Sequence, residues 1–266
     1  MAIKGIESAR LKFEHAERHL QALTKSVTDF ADGHPCHCTV AWERNHPEYI
    51  CHVVVKEAST VPDLVALQAS DYIGNLRAAL DHAVYTHVVE HCAKNGIALS
   101  LRDERNVKFP IIESEKKIQD QTWFSAPVLD VLEKHQPGLL PDPLDHPLAQ
   151  LNRLVNHDKH RLMLVTNSAF IESDVVYSDE FEFVRDDSPP DGELRPGYEL
   201  AAWVFRATVP QLTRHPHHLI KIGQIGYHIS IDLPDSNRFE HLLPTMNNIR
   251  DRVGQVLDDL EAAGVT

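Results

Sequence analysis

The chain reads as an α+β protein. A helical part is built on one long helix at about 62–95 and carries a β-hairpin at about 36–56; an antiparallel sheet follows over about 161–232, with a C-terminal helix over about 235–262. Three observations predict this. Apolar residues at helical spacing dominate the first 160 residues outside one alternating hairpin, and short β-branched and aromatic runs follow them. Strands and helices never alternate as a parallel βαβ sheet would require. The expected organisation is a single domain over 1–266, with a helical part over about 1–160 and the sheet plus closing helix over about 161–266.

Residues 3–30 place leucine and phenylalanine at helical spacing against a charged face and stop near "ADGHP", which predicts a first helix. Next, Cys36, Cys38, Val40 and Trp42 alternate on one strand and Cys51, Val53 and Val55 on a second, around a turn at "RNHPE". "STVPDLVALQASDYIGNLRAALDHAVYTHVVEHCAKNG" follows, with a Ser/Thr cap region, Pro62 near the first helical turn and Asn95-Gly96 as a stop. Residues 97–112 read as loop with an extended piece at "VKFPII", then "SEKKIQDQTWF" and "APVLDVLEKHQ" as two short helices. "QPGLLPDPLDHP" is a proline-rich connection, and "LAQLNRLVNHDKHRLML" has helical leucine spacing. Strands are expected near 161–170, 174–185, 199–209 and 219–232 from their β-branched and aromatic content. In the last, Ile220 and Ile222 occupy even positions and Ile225, Tyr227, Ile229 and Ile231 odd ones, so the phase change predicts a bulge around Gly223.

A formal charge of −13 makes a general nucleic-acid coat or an anionic membrane an unfavourable partner, so any polyanion must be met by a local basic pocket. The opening "MAIKGIESARLKFEHAE" is amphipathic rather than an apolar leader, and no apolar run approaches the length of a membrane span. The expectation is a soluble cytoplasmic protein with no membrane partner. Four cysteines are too few for a disulfide scaffold. Three lie with four histidines in "HPCHCTVAWERNHPEYICHVVVKE", which invites a zinc reading. The alternation argues instead for small apolar thiols on a sheet face, with Cys51 opposite Trp42 and far from Cys36. No metal and no cofactor are expected.

The polar groups of "NLRAALDH", residues 75–82, interrupt a helix that otherwise reads as buried. At about 100° per residue, Arg77, Asp81, Val84 and Val88 share one sector, so Arg77 and Asp81 form an i,i+4 ion pair in a partly buried stripe. Asp71, Asn75, Ala78 and His82 lie on a neighbouring sector, about 100° or more away. "HVVEH", His87 to His91, matches an H-x-x-E-H zinc pattern, but its position in the last turns already suits histidine through the helix dipole. "TRHPHH" reads as a solvated turn. In "NRLVNHDKHR", residues 152–161, a helix would put Arg153, His157, His160 and Arg161 on one face with Asp158 to the side. Arg153, Lys159 and Arg161 beside two imidazoles disfavour a divalent metal and favour an anion.

"NLRAALDH" with Tyr85, together with "NHDKHR", resembles a widespread bacterial family that pairs an N-L-R-x-A-L-D-H helix with a later D-K-H-R segment, a likeness covering roughly residues 60–165. That family carries no established activity; the resemblance implies that both segments belong to one site. Arg77-x4-His82 also resembles the R-x4-6-H motif carried by the ribonuclease members of the HEPN superfamily of helical proteins. The sequence departs from it in having Ala78 after the arginine, Tyr85 three rather than two residues after the histidine, and a C-terminal sheet. The resemblance implies metal-independent RNA cleavage across a homodimer, with His82 as general acid or base and Arg77 stabilising the phosphorane.

On that reading Arg77, His82, His157 and His160 are the catalytic set. Asn75, Tyr85, Arg153, Lys159 and Arg161 are substrate or anion contacts, and Asp81 and Asp158 sit in structural ion pairs. Two alternatives stand beside it. In one, the Arg/Asp/His network clamps helices, with Asp158 paired to Arg161 or Lys159, or holds a small anionic ligand without catalysis. In the other, His82, His157 and His160 converge on a metal in a hydrolase.

Overall fold

A computed structural model of the chain describes residues 4–114, 118–119, 121–163, 165–171, 175–189, 194–221, 225–236 and 238–266. In order these hold α1 (Gly5–Asp32), β1 (Cys36–Asn45), β2 (Glu48–Ala58), α2 (Asp63–Asn95), α3 (Leu101–Asn106), α4 (Ala126–Lys134) and α5 (Pro147–Asp158). Then come β3 (Val165–Ile171), β4 (Val176–Tyr177), β5 (Phe181–Asp186), β6 (Glu199–Ala207), α6 (Pro216–Leu219), β7 (Ile220–Lys221), β8 (Ile225–Leu233), β9 (Arg238–His241) and α7 (Leu242–Ala262). Short 3-10 turns cover Gln121–Trp123, Pro137–Leu139 and Pro143–Asp145. The strands form sheets ordered β1-β2-β6-β5, β3-β8-β9 and β4-β7. The molecule is α+β, with the long helix and hairpin first and a helix last.

The chain divides into two compact units, and not at residue 160. One unit takes Met1–Ser26, Asp63–Leu164 and Ile231–Thr266; the other takes Val27–Pro62 and Val165–Ser230. The hairpin therefore groups with later strands, and the closing helix with the earlier helices.

The helical unit is organised on α2, whose buried residues run from Val65 through Tyr72, Leu76, Leu80 and Val84 to Cys92. A helix apolar over so much of its surface has to be surrounded, and α5 and α7 pack on it. Tyr72 is fully buried, and its hydroxyl donates to the Met246 carbonyl of α7 at 2.9 Å. The stop read at Asn95-Gly96 takes its expected form. Gly96 has φ +66 and the Ile97 amide returns to the Cys92 carbonyl at 2.9 Å, a closure that favours glycine.

Several boundaries differ from the sequence reading, for local reasons. Residues expected as loop contain α3, started by a reciprocal capping box between Ser100 and Asp103. Of the helix expected over "SEKKIQDQTWF", the described residues hold only the Gln121–Trp123 turn. Helix α5 stops at Asp158, where the Lys159 amide tightens the last turn onto the Val155 and His157 carbonyls. His160 and Arg161 therefore lie past the helix end, and the expected shared face of Arg153, His157, His160 and Arg161 does not form. The last helix begins at Leu242 rather than 235, because a turn with Asp235 at φ +61 leads into β9. The bulge expected at Gly223 lies outside the described residues.

In the strand unit β1 and β2 pair antiparallel with Trp42 opposite Cys51 and Cys36 opposite Ala58, as the alternation required. Strand β6 pairs with β2 and β5 with β6, and the sheet buries Tyr49, Cys51, Val53, Phe181, Trp203 and Phe205. Burial pushes the Cys36 thiol up, and the Cys38 and Cys51 thiols up to about 12. These are the inert, small apolar residues expected there.

Candidate functional site

The geometry of "NLRAALDH" is set by a backbone segment that sequence reasoning did not connect to it. Arg77 reaches Asp81 from Nη2 at 2.8 Å and from Nε at 3.3 Å, which is the i,i+4 pair read from the wheel. The same Nη2 donates to the Phe109 carbonyl at 2.7 Å, and the Phe109 amide donates to Asp81 Oδ1 at 2.9 Å. The pair thus satisfies both backbone groups of a residue whose ring is fully buried, acting as a neighbouring strand would. The Arg77 side chain is 12% exposed and that of Asp81 31%; Arg77 Nη1 is buried with no hydrogen-bond partner among the described residues.

This clamp forms one wall of a cavity of about 680 Å³ within the helical unit, a volume that suits a small-molecule ligand. Helix α2 contributes Gly74, Arg77, Ala78 and Asp81 at i, i+3, i+4 and i+7, so two small residues leave room beside two charged ones. A Cβ on Gly74 would meet nothing within 4 Å. Opposite, α5 contributes Asn152, Val155, Asn156 and, at its end, Lys159, while its other stripe, Leu148, Leu151 and Leu154, is buried. Lys159 Nζ donates to Asn156 Oδ1 at 3.1 Å, and Asn156 Nδ2 to Asn152 Oδ1 at 3.5 Å. Lys108, Asn106, Gln119, Trp123 and the isoleucines 111, 112 and 118 complete the wall. Among the described lining residues Arg77 and Asp81 balance each other, which leaves Lys108 and Lys159 as positive charge without an ion-pair partner.

His82 opens onto a different cavity of the same unit, about 540 Å³, lined by Lys4, Ser8, Tyr85, Thr86, Glu90 and Glu104 among others. Its Nδ1 lies 2.9 Å from Ser8 Oγ. Tyr85 donates to Glu104 at 2.7 Å, and that bond raises its pKa. Asp81 and Val107 line both cavities, but Arg77 lines only the first and His82 only the second, as the wheel implied.

The remaining expected site residues are dispersed. None of His157, His160 and Arg161 lines either cavity among the described residues. The encounter expected between His82 and "NHDKHR" is thus replaced by one between Arg77 and the α5 residues Asn152, Asn156 and Lys159. Asn75 donates to the Asp71 carbonyl at 2.7 Å and accepts from Lys12 at 3.4 Å, and it lines neither cavity. Arg153 is paired with Glu113 at 2.7 Å and lines neither cavity. Asp158 accepts from Ser70 Oγ at 2.5 Å rather than pairing with Lys159 or Arg161. The imidazoles of His82, His157 and His160 do not converge: no group of three or more His, Cys, Asp or Glu placed to hold a metal exists among the described residues. In "HVVEH", His87 Nε2 accepts the Ser125 amide at the start of α4 at 3.2 Å, and its ring stacks on His91.

Sequence reasoning passed over a buried histidine pair in the helical unit. His135 is 1% exposed, with Nε2 2.8 Å from Asp259 and Nδ1 3.4 Å from Arg252 Nη1. Arginine only donates, so Nδ1 accepts and Nε2 carries the proton toward Asp259. His146 is 6% exposed, and its Nδ1 accepts the Leu148 amide at 3.2 Å as the cap of α5. The one sequence signal for it is a histidine directly before Pro147 at a helix start. No helix among the described residues is long and apolar enough to cross a membrane. No protein family, curated protein or solved structure compared with the chain matches it.

Proposed function

We propose that the protein binds a small anionic ligand, of the phosphate or carboxylate class, in the 680 Å³ cavity between α2 and α5, without catalysis. One observation carries this reading: Lys108 and Lys159, without an ion-pair partner among the described residues, bring positive charge to a cavity of mixed polar and apolar lining whose wall is already fixed by the Arg77-Asp81-Phe109 clamp. A preorganised wall lowers the ordering cost of binding, and charge-assisted hydrogen bonds from lysine are among the stronger ones. The nuclease reading asks instead for Arg77 and His82 at one phosphate, and these residues line separate cavities.

The test is calorimetric titration with inorganic phosphate, pyrophosphate and citrate, on wild type, Lys159→Gln and Gly74→Leu. At least one anion is expected to bind wild type, with about tenfold weaker binding to Lys159→Gln, from the loss of one charge-assisted bond. Gly74→Leu puts a side chain into the open space beside α2, and a folded variant that no longer binds is expected. The reading is overturned if no anion binds, or if both variants bind as wild type does.

A further inference from the structure

The charged groups are only part of the cavity wall. An inorganic anion fills a minor part of 680 Å³, and the rest of the lining has a chemistry of its own. Trp123 lines the cavity half-buried, on a 3-10 turn that closes with the Phe124 amide on the Gln121 carbonyl at 3.1 Å, and Phe124 itself is 8% exposed. The turn fixes the backbone that carries Trp123 at the cavity wall, and part of the indole surface is open. Large aromatic rings in that situation gain most from a second planar ring against them.

Side-chain amides supply the third component. Asn152, Asn156 and Gln119 each offer a donor and an acceptor a fixed distance apart, the pattern that matches the edge of a nucleobase. On α5 the orientation of the first two is set from the lysine inward. Lys159 Nζ occupies Asn156 Oδ1, so the Asn156 amide nitrogen turns to Asn152 Oδ1. A cation, two oriented carboxamides and a partly open indole are the groups that a phosphate, a base edge and a base face would each select.

We infer that the ligand is a nucleoside monophosphate, its phosphate at Lys108 and Lys159 and its base on Trp123, with Asn152 and Asn156 at the base edge. This deepens the anion-binding reading and rests on it. A single base stacked on an aromatic side chain corresponds to about tenfold or more in affinity.

The experiment titrates the full chain with AMP, GMP, CMP and UMP and with ribose 5-phosphate, followed by calorimetry. In wild type at least one nucleotide is expected to bind about tenfold tighter than ribose 5-phosphate. Trp123→Leu should bring that nucleotide down to the ribose 5-phosphate level, Trp123→Phe should keep most of the preference, and Lys159→Gln should weaken both ligands alike. Trp123→Gln, which also lacks an aromatic ring and is polar at this half-buried position, should lose the preference in the same way and keeps the test decisive if the leucine variant fails to fold. Equal binding of nucleotides and ribose 5-phosphate, or a preference that survives Trp123→Leu, overturns the nucleotide assignment and leaves anion binding intact. A wild type that binds neither overturns both. An oligoribonucleotide with a 5′-phosphate that competes as well as AMP overturns the free nucleotide in favour of a strand end.

Discussion

Asp81 shows how one carboxylate can serve two backbones. It holds the guanidinium of its own helix and caps the amide of Phe109, 28 residues further on. Removing it leaves Arg77 partly buried without a counter-charge and the Phe109 amide without an acceptor, so Asp81→Ala is expected to cost about 2–4 kcal/mol. Asp81→Asn keeps an oxygen for the amide and should cost roughly half as much. Arg77→Ala and Asp81→Ala act on the same unit, so the double variant should lose less than the sum of the two. Urea unfolding of wild type and the four variants checks this; an Asp81→Ala protein as stable as wild type would remove the clamp from the account. Half of this arrangement was legible in the sequence, since i,i+4 spacing on a well-marked helix places Arg77 beside Asp81. Phe109 was not, because a bond to a distant backbone leaves no trace in side-chain periodicity.

At the scale of the element, helix starts were readable wherever their caps were ordinary. The "SLRD" of α3 has the capping-box spacing and was passed over only because six residues are too few for periodicity to show. The start of α5 was less legible because its cap is an imidazole, and that choice makes the helix sensitive to pH. Burial, and then the charges of Arg252 and His135, push the His146 pKa down to about 4. A protonated Nδ1 can no longer accept the Leu148 amide, and a cation at a helix N-terminus also opposes the dipole. The folded pKa lies below the unfolded value of about 6.5, so the unfolded chain takes up the proton first. The contribution is therefore complete above about pH 6.5 and is lost as the pH falls toward 4, amounting to about 2 kcal/mol between pH 7 and pH 5. Burial also lowers the His135 pKa, despite Asp259, and adds in the same direction. His146→Asn keeps a cap acceptor and removes the titration. Its urea-unfolding free energy should change by less than half as much as that of wild type over this range, and an unchanged slope would show that the dependence arises elsewhere.

Across the whole molecule, the sequence marked most of the segments but not their partners. Strand β2 pairs with β6 through contacts such as Val53 with Ala201, and α7 returns to the unit of α1 and α2. Alternation shows that a segment is a strand and which face it buries, but not which distant strand it meets, so the expected division at residue 160 followed chain order while the fold follows pairing. The same distinction governs the site. Arg77 and His82 were separable on the wheel, but which of them would face α5 depended on how two helices pack, and the structure gives that place to Arg77. Charge at this scale bears on RNA. A chain of net charge −13 that brings only Lys108 and Lys159 to the cavity beside the Arg77-Asp81 pair has little to offer an extended phosphate backbone, whose binding draws on many cations. Mixed RNA incubated with the purified protein is therefore expected to stay intact, with or without chelator and with or without His82→Ala. Cleavage that survives chelation and disappears in His82→Ala would place acid-base chemistry in the Ser8-His82 cavity and displace non-catalytic binding as the protein's function.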